Sequence, residues 1–161
     1  TGKKFKLCHC GFHTMDIMRM ESGFLHWGHD ISPEENQYQV GLNFAISLKK
    51  PFDFIGKEKL KKIKDQKLEK RFVMLVLKNS KPGFPLLLHE EPIYLNNRII
   101  GKTTSGNYSF NYNRNLSFGY INSHLSNKEL NELELFIEIE KKKYPAVILL
   151  KPLKQSNFKE I

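Results

Sequence analysis

The spacing of apolar residues changes near position 70 and divides the chain into two kinds of structure. Before it, Phe12, Met15, Ile17, Met18 and Met20 recur closely enough to cover nearly every side of a helix, so this stretch reads as a buried helix that Gly23 ends. Ser32-Pro-Glu-Glu35 has a hydroxyl cap, proline at the first helical position and a carboxylate three residues after the cap, which predicts a short capped helical turn. Leu42, Phe44, Ile46 and Leu48 alternate with small or polar residues and predict a half-buried strand over 41–48. A lysine-rich amphipathic helix follows Gly56, with Leu60 and Ile63 inward and Lys67 covering apolar surface with its stem.

From Lys70 onward the period is that of strands. Phe72 to Leu77 is a continuous apolar run, as expected of a strand covered on both faces. Lys81-Pro-Gly-Phe-Pro85 is a loop, and Tyr94 to Ile100 is a hairpin turning at Asn96-Asn97, since asparagine tolerates positive φ. Leu116 to Ile121 is a further strand. Leu133, Leu135, Ile137 and Ile139 alternate with Glu134, Glu138 and Glu140, and the chain returns at Lys141–Lys143 through Tyr144 to Leu150. Thr103 to Gly106 reads as a strand end and turn. Some six short strands with tight turns predict a small closed barrel, giving an α+β chain overall.

Three charges interrupt the first helix. Asp16, Arg19 and Glu21 lie among apolar residues, where an ionised group is costly unless it is paired or meets a ligand. Arg19 and Glu21 either satisfy each other and nearby backbone or serve a site. The loop beyond Gly23 is crowded with Phe24, His26, Trp27 and His29, and its large aromatics either anchor a core or stack on a ligand. Charge and aromatic side chains in one stretch make it a candidate wall of a binding site.

Composition adds exclusions. In 161 residues, 40% are hydrophobic and 27% charged, which is globular rather than disordered. No run approaches the roughly 18 apolar residues of a membrane span. The net charge of +9 comes mostly from scattered lysines, a pattern of solvated faces more than of the arginine-rich surfaces that read nucleic acid. A barrel that binds RNA is the alternative, recognisable by a steep salt dependence. Cys8 and Cys10 are too close in sequence for the usual zinc pair or a bridge, so no metal ligands are assigned and a reducing compartment is expected.

The landmarks in order are Asp16-Ile-Met-Arg19-Met-Glu21-Ser-Gly23, Trp27-Gly28-His-Asp30, Gly41-Leu42, Asp53-Phe-Ile-Gly56, Thr104-Ser-Gly106, Phe118-Gly-Tyr120 and Tyr144-Pro-Ala-Val147. This order resembles the C-terminal part of the aminomethyltransferase superfamily, founded on the T-protein of the glycine cleavage system, over essentially the whole chain. Arg19-Met-Glu21 with Trp27-Gly28, Thr103 to Ser109 and Tyr144 to Ile148 are most similar to the folate half of dimethylglycine and sarcosine dehydrogenases. The T-protein pattern has a folate-contacting arginine before the helix aspartate; Met15 stands there in this chain.

The resemblance implies the C-terminal part of a tetrahydrofolate-binding α+β domain over residues 1–67, then a six-stranded antiparallel β-barrel over 70–156. It implies capture of an iminium or aminomethyl group by tetrahydrofolate, with Met15, Arg19, Glu21, Phe24 and Trp27 as the folate-binding residues. The family's catalytic aspartate belongs to a preceding part of the domain, and FAD to a domain further upstream, so no residue here is assigned to catalysis and the chain alone is expected to be inactive. Expected partners are folate and the upstream domains of the same polypeptide, in the cytoplasm or the mitochondrial matrix. A T-protein, which would need a lipoyl carrier protein, is the alternative within the family.

Overall fold

The computed structural model describes residues 1–122, 126 and 134–149. Six strands form a closed barrel: β1 (Lys70–Leu77), β2 (Pro92–Leu95), β3 (Arg98–Ser109), β4 (Arg114–Asn122), β5 (Leu135–Ile139) and β6 (Lys142–Leu149). Their spatial order is β1-β4-β3-β2-β5-β6, every neighbouring pair is antiparallel, and β6 returns to β1. Closure leaves no strand edge unpaired. The predicted hairpin turns at Asn96 and Asn97 with φ of 46° and 63°, and Glu140 and Lys141 make the same two-residue turn between β5 and β6 at 51° and 64°. Leu133 and Leu150, expected at strand ends, and the predicted limit at 156 lie outside the described residues.

The unbroken apolar run of β1 serves two cores. Val73, Leu75 and Leu77 point into the barrel among Ile93, Ile121 and Ile137. Met74 and Val76 point outward and pack with Leu116 and Phe118 beneath helix α1 (Phe12–Ser22), which contributes Ile17 and Met20. A strand covered on both faces needs no alternation. Met20 is fully enclosed, and burying a side chain of that size stabilises by roughly 1.5–3 kcal/mol. Gly23, at φ 78°, ends the helix, and the Phe24 N–H donates to the Arg19 carbonyl at 2.9 Å.

Three expectations are corrected. Helix α1 is not buried all round: Ile17, Met20 and Glu21 form a single inward stripe, whereas Phe12, Met15 and Met18 are 65%, 58% and 53% exposed. Residues 41–48 form no strand; Asn43–Ala45 is a 3-10 turn, closed by Ala45 N–H to the Leu42 carbonyl at 3.0 Å. The closed barrel offers that segment no edge to join. Ser32-Pro-Glu-Glu35 does form the short capped turn predicted for it, with Ser32 N–H donating to Glu35 Oε2 at 2.8 Å and the Glu35 N–H to the Ser32 carbonyl at 3.3 Å. Finally, Thr103 to Gly106 is the interior of β3 and not its end, with a bulge between Thr103 and Ser105 in the pairing to β4. In the second helix, α2 (Lys57–Lys64), Leu60 and Ile63 are half-buried as expected, while Lys67 beyond it is exposed.

Candidate functional site

The bulge in β3 explains how the helical segment is fixed to the barrel. An extra residue re-aims side chains, so Thr104 and Ser105 both present hydroxyls to one partner. That partner is Asp30, whose side chain is wholly buried. Asp30 Oδ1 accepts from Thr104 Oγ1 at 2.6 Å and Ser105 Oγ at 2.7 Å; Oδ2 accepts from Arg19 Nη1 at 2.6 Å and the His26 N–H at 2.8 Å. A buried carboxylate is tolerable only when its lone pairs are filled in this way. The Tyr120 hydroxyl donates to the Asp30 carbonyl at 2.6 Å. Burial, with the charges of Glu35 and Asp30, pushes the Tyr120 phenol up, so it stays protonated and remains a donor.

Arg19 carries the network outward. Its Nε and Nη2 reach Asp16 Oδ1 at 2.8 and 2.6 Å, Nη2 donates to Ser105 Oγ at 2.8 Å, and Nη1 also donates to the Phe24 carbonyl at 3.1 Å. One guanidinium thus ties helix, loop and barrel together and fixes where Phe24 stands. Glu21 does not pair with Arg19; it accepts from Ser109 Oγ at 2.5 Å and Asn111 Nδ2 at 2.8 Å, making a second tie to the far end of β3.

Two hollows flank this seam. One, of about 700 Å³, lies between Phe24, Leu42 and Phe44 on one side and Arg71, Phe72, Met74 and Phe118 on the other. The other, of about 430 Å³, is polar, and the lysines lining it are engaged with carboxylates: Lys70 Nζ with Glu35 Oε1 at 2.6 Å, and Lys102 Nζ with Glu90 Oε2 at 2.6 Å. Burial raises the Glu35 carboxyl, but hydrogen bonds from Lys70 and Ser32 outweigh it and leave the group below the usual carboxylate range.

The five predicted site residues fall into two sets. Arg19 and Glu21 are bonded into the barrel contact, and Met15, Phe24 and Trp27 stand 58%, 68% and 65% exposed around it. Phe24 alone of the five lines the larger hollow. Sequence reasoning did not assign Asp30, Thr104, Ser105, Arg71 or Phe44. A run of three hydroxyl residues, Thr103 to Ser105, inside a barrel strand is the signal that a buried acceptor must exist elsewhere. Cys8 and Cys10 are exposed free thiols, and among the described residues no three His, Cys, Asp or Glu side chains gather as metal ligands. No helix of the described residues is long and apolar enough to cross a membrane.

Fold and site together define an α+β unit: a closed barrel with a helix and an aromatic loop clasped to its side. The chain belongs to the aminomethyltransferase, or glycine cleavage T-protein, family: the model of the glycine cleavage T-protein C-terminal barrel domain matches residues 70–154, and that of the GCVT N-terminal domain matches residues 1–50. Human mitochondrial dimethylglycine dehydrogenase is 36% identical over 143 residues, covering 89% of this chain and 16% of that protein. An aminomethyltransferase of Synechococcus elongatus is 30% identical over 143 residues, covering 89% of this chain and 37% of that protein. The crystal structure of glycine cleavage system aminomethyltransferase T from Bartonella henselae shares the fold, with a TM-score of 0.73 over 86% of this chain and 37% of that one at 21% identity. The chain therefore spans well under half the length of each.

Proposed function

We propose that the polypeptide carrying this chain passes a one-carbon unit from an N-methylated amino acid to tetrahydrofolate, in the manner of dimethylglycine and sarcosine dehydrogenases. In this reading residues 1–67 complete a folate-binding domain and residues 70–156 form the barrel beside it. The observation that carries the proposal is the 36% identity to human dimethylglycine dehydrogenase across 89% of this chain. Met15, standing where the T-protein pattern has a folate-contacting arginine, supports the same branch.

The residues present fit a folate. Met15, Phe24 and Trp27 offer exposed apolar and aromatic surface to a planar ring. Arg19 and Glu21 act as positioning residues, because they hold the helix and the Phe24 carbonyl against the barrel. No residue of this chain is assigned to catalysis. FAD bound elsewhere in the polypeptide would supply the oxidation of the N-methyl group. The proposed partners are folate and other domains of the same polypeptide; the proposed location is the mitochondrial matrix in a eukaryote and the cytoplasm otherwise. A T-protein is the second reading, favoured by the fold shared with the Bartonella enzyme, and it would take its aminomethyl group from a lipoyl carrier protein.

The test is methylenetetrahydrofolate formation by the full polypeptide from dimethylglycine or sarcosine, set against an aminomethylated lipoyl carrier protein. Turnover with the free N-methyl amino acids is expected, and turnover with the carrier alone would replace this reading with the second. Phe24→Ala and Trp27→Ala should each raise KM for tetrahydrofolate about tenfold, a loss of about 1.4 kcal/mol. Both side chains are exposed, so the melting temperature should hold within about 2 °C. The 161-residue chain alone should form no product.

A further inference from the structure

We propose that the turn from Lys50 to Lys57 and the lysine face of helix α2 form a surface that docks on an anionic lipid bilayer. This goes beyond the one-carbon reading and does not rest on it. Residues 49–67 hold eight lysines against Asp53, Glu58 and Asp65, so this short stretch carries more than half of the chain's net charge of +9. Yet the turn in its midst is apolar at its tip: Ile55 is wholly exposed and Phe52 is 62% exposed. Neither packs in either core. The turn is nonetheless a built structure. Lys57 Nζ donates to the carbonyls of Lys50 and Phe52, each at 3.2 Å, and the Lys57 N–H donates to the Phe54 carbonyl at 3.2 Å. One lysine thus ties the turn to the start of α2 and leaves the apolar tip outward.

The helix sets the charge beside that tip. Leu60 and Ile63 are half-buried, and the Tyr38 hydroxyl donates to the Leu60 carbonyl at 3.4 Å, so α2 is fastened to the preceding segment with its apolar side already used. What it leaves exposed is lysine. Lys61 pairs with Glu58 at 2.6 Å, whereas among the described residues Lys59, Lys62 and Lys64 meet no carboxylate. Charge and apolar surface together choose the partner. An acidic bilayer answers both: its headgroups attract the lysines, and the aliphatic and aromatic tip enters the boundary between headgroups and acyl chains. A nucleic acid would answer the lysines and leave Ile55 in water. An apolar protein groove would take Ile55 and leave the lysines unmatched. The helix also has no arginine, which suits attraction to a diffuse layer of charge more than fork-to-phosphate recognition.

The experiment sediments the 161-residue chain with vesicles of phosphatidylcholine alone and of phosphatidylcholine mixed with phosphatidylglycerol, at low and raised salt. Binding to the mixed vesicles is expected, falling with salt, with none to phosphatidylcholine alone. Lys59→Gln, Lys62→Gln and Lys64→Gln together should weaken the partition about a hundredfold, about fivefold for each charge. Ile55→Ala should weaken it about tenfold, and Ile55→Trp should strengthen it, because indole favours the membrane interface. Ile55 is wholly exposed, so folding tolerates both changes. Phe110→Ala, at an exposed position between β3 and β4 with no lysine run beside it, should change nothing. The full polypeptide is expected to bind the mixed vesicles with the same dependence on Ile55. No binding to the mixed vesicles, equal binding to both kinds, no effect of Ile55→Ala, an equal loss in Phe110→Ala, or tighter binding to a single-stranded RNA would each overturn the assignment. So would vesicle binding by the 161-residue chain that the full polypeptide lacks, since another domain would then cover the face. One-carbon transfer in solution should be unchanged in Ile55→Ala, so this proposal and the one-carbon reading fail separately.

Discussion

Asp30 shows how a single carboxylate can organise a surface it does not reach. Its four side-chain hydrogen bonds, from Arg19, His26 N–H, Thr104 and Ser105, come from the helix, the aromatic loop and the barrel. Asp30→Ala removes the acceptor and leaves two hydroxyls and part of a guanidinium buried without it, so a loss of about 3–5 kcal/mol in urea unfolding is expected. Asp30→Asn keeps one carbonyl oxygen and should lose less. A loss under about 1 kcal/mol for the alanine variant would mean that the clasp adds little beyond what water supplies. Much of this was hidden in the sequence. Asp16, Arg19 and Glu21 were legible as charges needing partners, because an apolar helix makes them conspicuous. Asp16 and Arg19 do pair with each other, but the partners that tie Arg19 and Glu21 to the barrel were not legible, since Ser105, Ser109 and Asn111 lie more than eighty residues further on and carry no charge. Asp30 sits in a loop beyond the helix, where a lone acid attracts no notice.

Among the elements, β3 depends most on close approach. A Cβ on Gly101 would lie 1.8 Å from the Tyr120 carbonyl oxygen, and one on Gly119 would lie 2.5 Å from that of Lys102. Backbone, not a flexible side chain, is what the methyl would meet. Gly101→Ala should therefore force β3 and β4 apart and cost roughly 1–3 kcal/mol or more in urea unfolding. Because the displaced residue is Tyr120, whose hydroxyl holds the Asp30 carbonyl, the Phe24 loop should shift with it, visible as altered amide shifts over residues 24–31. Near-wild-type stability would show that the strands part without penalty. Strands β1, β5 and β6 were legible because burial writes a continuous or period-two pattern into them. The length of β3 was not: glycines and hydroxyls at its centre look like a turn, although they answer to a bulge and a narrow gap. Residues 41–48 erred the opposite way. Their alternation is real, but strand structure needs a neighbour, and the barrel has no edge to give.

For the molecule as a whole, the two segments matched by separate family models share a core and a set of buried hydrogen bonds. Met20 and Ile17 share a core with Met74, Val76 and Phe118, and Glu21 and Asp30 bind β3. Amide exchange should accordingly show protection at Ile17 to Glu21 alongside Phe72 to Leu77 and Val147 to Leu149, with rapid exchange over 41–55, whose bonds are local. Rapid exchange throughout helix α1 would show that the barrel folds without it. The inward stripe of α1 gives the helix a share in the barrel's core that residues 41–55 lack. The clasp also constrains how such a chain can vary through descent. Its acceptor and its two hydroxyl donors lie 74 and 75 residues apart, yet losing either side alone strands buried polar groups. Replacements across the seam must then be inherited together, so a hybrid pairing this Asp30 with a relative's barrel holding aliphatic residues at 104 and 105 should melt early, and restoring those two hydroxyls should repair it.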